Sequence, residues 1–342
     1  MKRIIADFRS DTVTRPSAGM QRAMLAAELG DDVYGDDPTV NRLESYVADL
    51  TGKEAGLLCT SGTQSNLVAL LAHCQRGDEY IVGQEAHTYK YEGGGAAVLG
   101  SIQPQPIEFE ADCTLDLDRV HAKLKADDTH FARSRLLCLE NTCGGKVLPF
   151  DYHALAAEFC GEHGLALHLD GARLFNATQQ QGVAPQQITQ HYDSVSLCMS
   201  KGLGAPVGSL LVGDQVLIKE ARKWRKMLGG GMRQAGVLAA ACQYALEHNI
   251  ERLAQDHEHA RRLAQGLSVI AGISCDPASV HTNMVFMRVD DAARAAPLKS
   301  LLAEQGIIVR GERDLRLVTH LDIDQQGIDR MIAVCEEFFA HN

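Results

Sequence analysis

One lysine lies between two apolar runs, in a position that suits nucleophilic chemistry. A short β-type run at residues 194–199 leads directly to Ser200 and Lys201, and a glycine-rich turn and a second apolar run at 207–212 follow. We expect burial between such strands to disfavour the ammonium form and lower the pKa of Lys201, which makes an amine a nucleophile. The plainer alternative is a lysine at a strand end whose head group reaches water.

An aspartate upstream offers that lysine a partner. The apolar run at 165–169 is typical of a buried strand, and Asp170 follows it at the carboxyl end, where open α/β sheets bind their ligands. About one strand–helix–strand unit separates Asp170 from Lys201, so neighbouring strand ends could present both to one cleft. This pair suits pyridoxal phosphate, because the lysine forms the Schiff base and the aspartate pairs with the pyridinium nitrogen. An aspartate that merely caps the next helix is the alternative.

Other polar residues follow predicted strand ends at the same edge of the sheet. Ser61, Gly62 and Thr63 lie where a helix begins, so free N–H groups and hydroxyls there would bind a phosphate, unless Ser61 is a plain N-cap. His87 follows the next strand, and its flat ring either stacks on a cofactor or is an ordinary structural histidine. Glu140 begins a further polar stretch that is either a turn or cleft lining.

Two charged segments have both structural and functional interpretations. The loop at residues 30–38 carries four aspartates before Pro38, which indicates a solvated helix start or a cation site. Residues 214–233 form the one basic segment, which is either a solvent-exposed helix face or a contact with a phosphate or a partner subunit.

Composition restricts the class of protein. The chain has 342 residues, 45% of them hydrophobic and 23% charged, with a net charge of −11, which argues against nucleic acid and anionic membranes as partners. No apolar run is long enough for a membrane span or a signal peptide. Ten cysteines occur without a C-x-x-C pair, and the histidines show no metal motif, so we expect reduced thiols, no bound metal and a cytoplasmic location.

Strand and helix patterns alternate from residue 54 to 213. This alternation predicts an α/β domain with a mostly parallel sheet covered by helices. The predicted strands are Ala55–Cys59, Tyr80–Val82, a weaker one near Ile107, Arg135–Leu139, Leu165–Leu169, Val195–Cys198 and Val207–Val212.

The remainder predicts a smaller α+β domain. A helical, alanine-rich link covers residues 234–271. The predicted strands beyond it are 283–289, 307–309 and 315–319, with helices near 295–304 and 325–339. Arg316 alternates with Leu315 and Leu317, so it points away from the apolar face. We expect an N-terminal arm and helix at 1–30, a large domain at 31–245 and a small domain at 246–342.

Taken together, these stretches resemble the low-specificity L-threonine aldolases. The resemblance spans nearly the whole chain, although its Asp-Gly-Ala-Arg and Ser-Lys motifs are shared with related β-eliminating lyases. The stretches that carry it are Arg9-Ser-Asp-Thr-Val-Thr14, Gly30-Asp-Asp-Val-Tyr-Gly-Asp-Asp-Pro38, Ser61-Gly-Thr63, His168-Leu-Asp-Gly-Ala-Arg173, Ser200-Lys-Gly-Leu-Gly-Ala-Pro-Val-Gly208, Lys226-Met-Leu-Gly-Gly-Gly-Met-Arg-Gln234 and Arg316-Leu-Val-Thr-His-Leu-Asp322. It implies the pyridoxal-phosphate fold of aspartate aminotransferase (fold type I), with a seven-stranded sheet.

The resemblance also assigns a role to each matched residue. Lys201 would hold the cofactor, Asp170 would keep its pyridine nitrogen protonated, and His87 would stack on its ring. Lys226 would reach an active site across the subunit interface of a homotetramer, a dimer of dimers. The phosphate and the rest of the cofactor would be held by Ser61, Gly62, Thr63, Arg173 and Ser200. The substrate carboxylate would be held by Ser10, Arg173 and Arg316, and the substrate side chain would lie near Tyr91 and His130.

The reaction implied is retro-aldol cleavage of a β-hydroxy-α-amino acid, such as L-threonine or L-allo-threonine, to glycine and an aldehyde. The β-hydroxyl proton would leave to His130 directly or to water near His87. A β-eliminating lyase or racemase of the same fold is the first alternative, and a protein that only binds cofactor or partners is the second. One departure from the family is Cys143, where a histidine often follows Glu-Asn-Thr.

Overall fold

A computed structural model of the chain describes residues 4–340. Within this range the strands are β1 (Ala6–Asp7), β2 (Ala55–Cys59), β3 (Asp78–Gly83), β4 (Gln103–Ile107), β5 (Arg133–Glu140), β6 (Ala166–Gly171), β7 (Ser194–Cys198), β8 (Ser209–Gly213), β9 (Ile273–Cys275), β10 (Met284–Val289), β11 (Ile307–Ile308) and β12 (Asp314–Val318). The helices are α1 (Ala18–Leu25), α2 (Pro38–Thr51), α3 (Gly62–His73), α4 (His87–Lys90), α5 (Gly95–Gly100), α6 (Leu117–His121), α7 (Phe150–His163), α8 (Leu174–Gln181), α9 (Pro185–Thr189), α10 (Gln215–Met227), α11 (Gly236–His248), α12 (Leu253–Ser268), α13 (Ala292–Glu304) and α14 (Gln325–Ala340).

A seven-stranded sheet forms the centre of the larger part. Its order is β2-β8-β7-β6-β5-β3-β4, and the pairs from β7 to β4 are all parallel. Only β8 runs against its neighbours β7 and β2. Strands β3, β7 and β8 are buried along their whole length, as expected for a sheet covered on both faces. The predicted α/β class, the seven strands and their mostly parallel arrangement are confirmed.

The smaller part is built on an antiparallel sheet. Strands β12, β10 and β9 pair in that order, and α12 and α14 pack on each other beside it. The predicted helical link at 234–271 is two helices, α11 and α12, and the sequence analysis missed β9. Arg316 lies on the opposite face from the buried Leu315 and Leu317, as predicted.

The N-terminal arm packs against the C-terminal part. Strand β1 pairs in parallel with β11, and Ala6 and Phe8 lie in the hydrophobic cluster formed by α12, α13, α14 and β10. Helix α12 joins the two cores, since Leu253 belongs to the cluster of the large sheet and Leu263 to that of the small one. The domain boundaries at residues 30 and 245 stay a prediction.

The acidic loop and the basic segment are partners of each other. Asp32 and Arg225 form a buried ion pair at 2.8 Å, and Asp31 pairs with Arg233 at 2.9 Å. Asp37 caps α2 by accepting from the Thr39 N–H and also accepts from the N–H that begins α11. These contacts favour a structural function for both segments over a cation site or a purely solvated helix face.

Two compositional expectations have structural counterparts. In the described part of the chain, no helix is long and apolar enough to cross a membrane. All ten cysteines fall within residues 4–340 and are free thiols, eight of them buried. Cys143 is one of the buried ones, and the Cys113 thiol contacts its carbonyl oxygen at 3.5 Å.

Candidate active site

The two residues that the sequence singled out lie at the ends of neighbouring strands. Asp170 is the penultimate residue of β6, and Lys201 follows the end of β7 by three residues. The Lys201 carbonyl accepts from the Gly204 N–H at 2.8 Å and from the Thr14 hydroxyl at 3.1 Å. Gly204 has a φ of 80°, which a side chain would oppose. The lysine turn is therefore fixed both locally and by the N-terminal arm.

The Lys201 side chain is partly exposed, whereas Gly202 and Leu203 beside it are buried. Strand β7 ends at Cys198, and the lysine lies on the turn beyond it. Its enclosure between two strands stays a prediction. An amine in this position is accessible to a carbonyl compound that enters the cleft.

A hydrogen-bonded cluster surrounds Asp170. Its Oδ1 accepts from the Ala172 N–H at 3.1 Å, and its Oδ2 accepts from the Asn66 amide at 2.9 Å. The same Asn66 nitrogen donates to Glu92 at 2.9 Å. Ligand atoms of His87, Glu92 and Asp170 lie within 4.8 Å of one another, a spacing that a metal ion could bridge. The Asn66 amide lies between the two carboxylates and donates to both, so hydrogen bonds account for their proximity.

His87 is held at both its ring and its backbone. The ring Nδ1 lies 2.9 Å from Glu92 Oε1, and the backbone N–H donates to Glu140 Oε2 at 2.7 Å. Because a carboxylate only accepts, Nδ1 carries the proton and Nε2 presents a lone pair. Among residues 4–340, Nε2 has no hydrogen-bond partner. The bond to Glu92 raises the pKa of His87 against the opposing effect of burial.

Two carboxyl groups beside His87 hold protons more tightly than usual. Burial raises the pKa of Glu92, and the nearby Asp170 charge adds to the effect. Burial and the same Asp170 charge raise the pKa of Glu140 to about 7. The side of the cleft behind His87 therefore contains three acidic groups whose charges oppose one another.

The start of α3 offers free donors for an anion. The Ser61 hydroxyl accepts from the Gln64 N–H at 3.1 Å, so Ser61 is the N-cap that the sequence left as an alternative. The N–H groups of Gly62 and Thr63 have no acceptor in the described part of the chain. The buried Ser209 hydroxyl also lacks a partner and lies 3.7 Å from where a Gly62 Cβ would be. These donors fit a phosphate group.

Two arginines lie against the N-terminal arm, where Arg173 contacts Asp11 and Arg316 contacts the Arg9 carbonyl. Arg173 makes a two-pronged ion pair with the fully buried Asp11, with both contacts at 2.7 Å. Burial alone would raise the pKa of Asp11, but Arg173 outweighs it and holds that pKa well below its usual value. Burial, followed by the like charge of Arg173, lowers the pKa of Arg316. Arg316 forms no ion pair with an acidic residue between positions 4 and 340, so the pair of arginines retains one uncompensated positive charge.

Two smaller groups complete this side of the cleft. Ser10 caps a short 3₁₀ turn at Asp11–Val13, and its oxygen accepts from the Thr12 N–H at 3.2 Å. Ser200 is partly exposed beside Lys201, with its hydroxyl 3.5 Å from the Cys198 thiol.

Three predicted site residues lie at the surface of the single chain. His130 is exposed, and its Nδ1 pairs with Asp128 at 2.5 Å, with no contact to the cleft residues among the described part of the chain. Lys226 is exposed near the end of α10, close to Gly231. Tyr91 is 60% exposed, with its ring centroid 5.8 Å from that of His87. His87 and Asp11, the partner of Arg173, each lie close enough to Lys201 to interact with its charge, and Arg316 interacts in the same way with Arg173. No contact of His130 with any of these residues occurs within residues 4–340.

Several residues of the site had no role in the sequence analysis. They are Asn66, Glu92, His168 and Asp11, and only their contacts in the fold reveal them. The sequence pointed to Asp11 only through its position next to Ser10, a residue predicted to bind the substrate.

This architecture has known counterparts. A family model described as Beta-eliminating lyase matches residues 7–290. The low specificity L-threonine aldolase of Escherichia coli (strain K12) is 55% identical over 334 residues, covering 98% of this chain and 99% of that protein. The low-specificity L-threonine aldolase 1 of Arabidopsis thaliana is 46% identical over 332 residues, covering 94% of this chain and 93% of that protein. The chain belongs to the low-specificity L-threonine aldolase family.

The fold agrees with this membership. A crystal structure described as a putative L-allo-threonine aldolase from Listeria monocytogenes EGD-E superposes with a TM-score of 0.83, covering 98% of this chain and 97% of that one. At 20% sequence identity this match establishes the shared fold. It confirms the predicted fold class, and the close sequence relatives confirm the predicted enzyme class, a lyase.

Proposed function

We propose that this chain cleaves L-threonine, L-allo-threonine and related β-hydroxy-α-amino acids to glycine and an aldehyde, with pyridoxal phosphate as cofactor. The observation that carries the proposal is the cleft in which Asp170 and the Lys201 turn follow neighbouring parallel strands. The close relatives named as threonine aldolases support the reaction.

The residues present fit the cofactor. Lys201 offers an accessible amine, Asp170 a buried carboxylate for the ring nitrogen, and the start of α3 free N–H groups for the phosphate. The unpartnered Ser209 hydroxyl beside Gly62 is a further donor. Pyridoxal phosphate, when bound, supplies an electron sink for the electron pair that remains on the substrate Cα.

The two arginines and Ser10 would hold the substrate carboxylate. Asp11 neutralises Arg173, so one net positive charge remains for one carboxylate. The pair with Asp11 uses Nε and one terminal nitrogen of Arg173, and the other terminal nitrogen is available for the ligand. Holding the carboxylate on this side fixes the rotation about Cα and selects which Cα bond breaks.

His87 is the best-placed group to take the β-hydroxyl proton. Its Nε2 lone pair is unpartnered, and Glu92 both fixes this tautomer and stabilises the imidazolium that forms. The proton moves from the substrate oxygen to Nε2, directly or through one water molecule. The Cα–Cβ bond then breaks, the aldehyde leaves, and Cα takes up a proton to give glycine. His130 lies outside this cleft in the single chain, so we favour His87.

Two finer expectations belong to the same proposal. We propose a homotetramer in which Lys226 acts on the active site of a neighbouring subunit. Its exposure supports this, together with the exposure of the apolar Met227 beside it. We also propose a cytoplasmic location, which the ten free cysteines support.

The lysine provides a direct test. Lys201→Ala should reduce glycine formation from either diastereomer of L-threonine by at least about 10³-fold, because nucleophile and cofactor attachment are both lost. A matched control is Lys299→Ala, which removes an exposed lysine whose amine donates to the Gly311 carbonyl and should leave turnover unchanged. Undiminished turnover in Lys201→Ala would refute the proposed function.

A further inference from the structure

A line of hydrogen bonds runs from Asp170, at the carboxyl end of β6, to groups at the opposite end of β6 and β7. Asn66 Nδ2 lies 2.9 Å from Asp170 Oδ2, and Asn66 Oδ1 lies 3.2 Å from His168 Nε2. His168 Nδ1 lies 2.7 Å from the Ser194 hydroxyl, which lies 2.7 Å from His73 Nε2. His73 lines an open cavity of about 680 Å³ between α3, α10 and the start of β6.

The geometry of strands and helix places these groups in line. His168 and Ser194 are register partners on the parallel strands β6 and β7. Asp170 lies two residues beyond His168, on the same face of β6. Asn66 and His73 are seven residues apart on α3, so they project from the same face of the helix, two turns apart. That face of α3 covers both ends of the strand pair.

Burial forces these groups to satisfy one another. Asn66 and Asp170 are each 2% exposed, and His168 and Ser194 are fully buried. Burial lowers the pKa of His73 to about 4 and that of His168 to about 3. Both imidazoles are therefore neutral at pH 7, and each carries one N–H and one lone pair.

The direction of every bond follows from the carboxylates. Asp170 Oδ2 and Glu92 Oε1 only accept from Asn66, so the amide nitrogen faces them and its oxygen faces His168. That oxygen also only accepts, so the proton of His168 is on Nε2. Nδ1 is then bare, so the Ser194 hydroxyl donates to it and must itself accept from the His73 N–H. A single arrangement satisfies all four groups.

We propose that His73, Ser194, His168 and Asn66 form a directed hydrogen-bond chain that positions the Asp170 carboxylate for the cofactor ring nitrogen. None of the four needs to touch substrate; they are positioning residues, and the inference rests on the proposed function of the cleft. This hydrogen-bond chain holds the Asn66 amide in the orientation in which its nitrogen faces Asp170 and Glu92. A flipped amide would turn its oxygen toward both carboxylates and remove their shared donor.

The Ser194→Ala variant tests the hydrogen-bond chain with little change to the packing around it. The change removes one oxygen and touches neither Asn66 nor Asp170. Without the serine hydroxyl, His168 Nδ1 has no donor, so the Nε2–H donates more weakly to the Asn66 oxygen, and the Asn66 amide donates more weakly to Asp170. The Asp170 carboxylate then becomes more basic and draws the proton of the ring nitrogen toward itself.

The measurement is the ¹⁵N chemical shift of pyridoxal phosphate labelled at its ring nitrogen, bound to the holoenzyme and recorded by solid-state NMR. Wild type should show a protonated ring nitrogen. Ser194→Ala and His168→Leu should move the signal toward the unprotonated value and raise the cofactor Kd about tenfold. His168→Gln keeps an N–H donor for Asn66 and should restore the wild-type shift. His153→Leu, which removes another fully buried neutral histidine bonded to Tyr192, should leave the shift unchanged.

Each outcome has a definite consequence. If both Ser194→Ala and His168→Leu give the wild-type ¹⁵N shift of the ring nitrogen, the proposed hydrogen-bond chain is overturned and the proposed function stays intact. A shift in His153→Leu as large as that in His168→Leu would overturn it as well. A wild-type protein that takes up no cofactor would overturn the proposed function and, with it, this inference. If His168→Leu fails to fold, Ser194→Ala decides alone.

Discussion

His87 is held by two carboxyl groups, one at its ring and one at its backbone. Glu92 accepts from Nδ1, and Glu140 accepts from the backbone N–H. The contacts fix the ring in place and leave Nε2 as the unpartnered atom. We therefore expect the acid–base behaviour of the cleft to follow the His87–Glu92 pair.

Glu92→Gln tests this pair through the pH profile. A base must be neutral, so kcat/KM should fall as pH drops through the pKa of His87, which Glu92 raises. A glutamine still accepts from Nδ1 but carries no charge, so this pKa falls. The acidic limb should move to lower pH by about one unit.

The control for this profile is Glu85→Gln, which removes an exposed carboxylate that pairs with Lys90. Glu85→Gln should leave the acidic limb of the kcat/KM profile in place. If that limb also stays in place in Glu92→Gln, a group other than His87 takes the β-hydroxyl proton.

The sequence could identify individual strand-end residues but not the contacts among them. Lys201 and Asp170 were predictable because each follows a buried apolar run at the binding edge of a parallel sheet. Asn66 was not, because its bond to Asp170 joins residues 104 apart and depends on the rotation of α3 about its axis. The end of β7 at Cys198 was predictable from its apolar run, whereas the partial exposure of Lys201 depends on the packing of the turn beyond it.

At the scale of elements, close contact between α2 and β2 fixes one edge of the sheet. A Cβ on Gly56 of β2 would lie 2.7 Å from the Glu44 carbonyl oxygen and 2.9 Å from Val47 Cγ1. The Glu44 carbonyl is part of the backbone of α2, so it cannot rotate away from an added methyl group. The inner strands of the large sheet were predictable within about two residues because their apolar runs are buried on both faces, whatever their partners.

Gly56→Ala should therefore lower the free energy of unfolding by about 1–3 kcal/mol, since the two elements must move apart. The matched control is Gly161→Ala on α7, where an added Cβ meets nothing within 4 Å. That change should raise stability by about 0.5–1 kcal/mol through helix propensity. Urea denaturation of both variants measures the difference, and equal stabilities would contradict the close contact.

At the scale of the whole molecule, the proposed function of Lys226 depends on a neighbouring subunit. It is exposed on α10, the helix whose Arg225 is tied to Asp32 by a buried ion pair. That ion pair fixes the end of α10 in place. The exposed position of Lys226 supports the proposal that it acts on a neighbouring subunit.

Mixing inactive variants tests this arrangement. Lys201→Ala and Lys226→Ala subunits, each nearly inactive alone, should form hybrid dimers with one intact site, containing Lys201 of one chain and Lys226 of the other. Random reassembly should restore about a quarter of wild-type activity. If Lys226 acts within its own chain, every site keeps one defect and no activity returns.

The most direct test of the central claim is product identification from L-allo-threonine. Retro-aldol cleavage breaks the Cα–Cβ bond, so the account predicts glycine and acetaldehyde in equal amounts, without ammonia. Release of 2-oxobutyrate and ammonia would instead show β-elimination, and accumulation of the D-isomer would show racemisation. Either result, without glycine, would contradict the account.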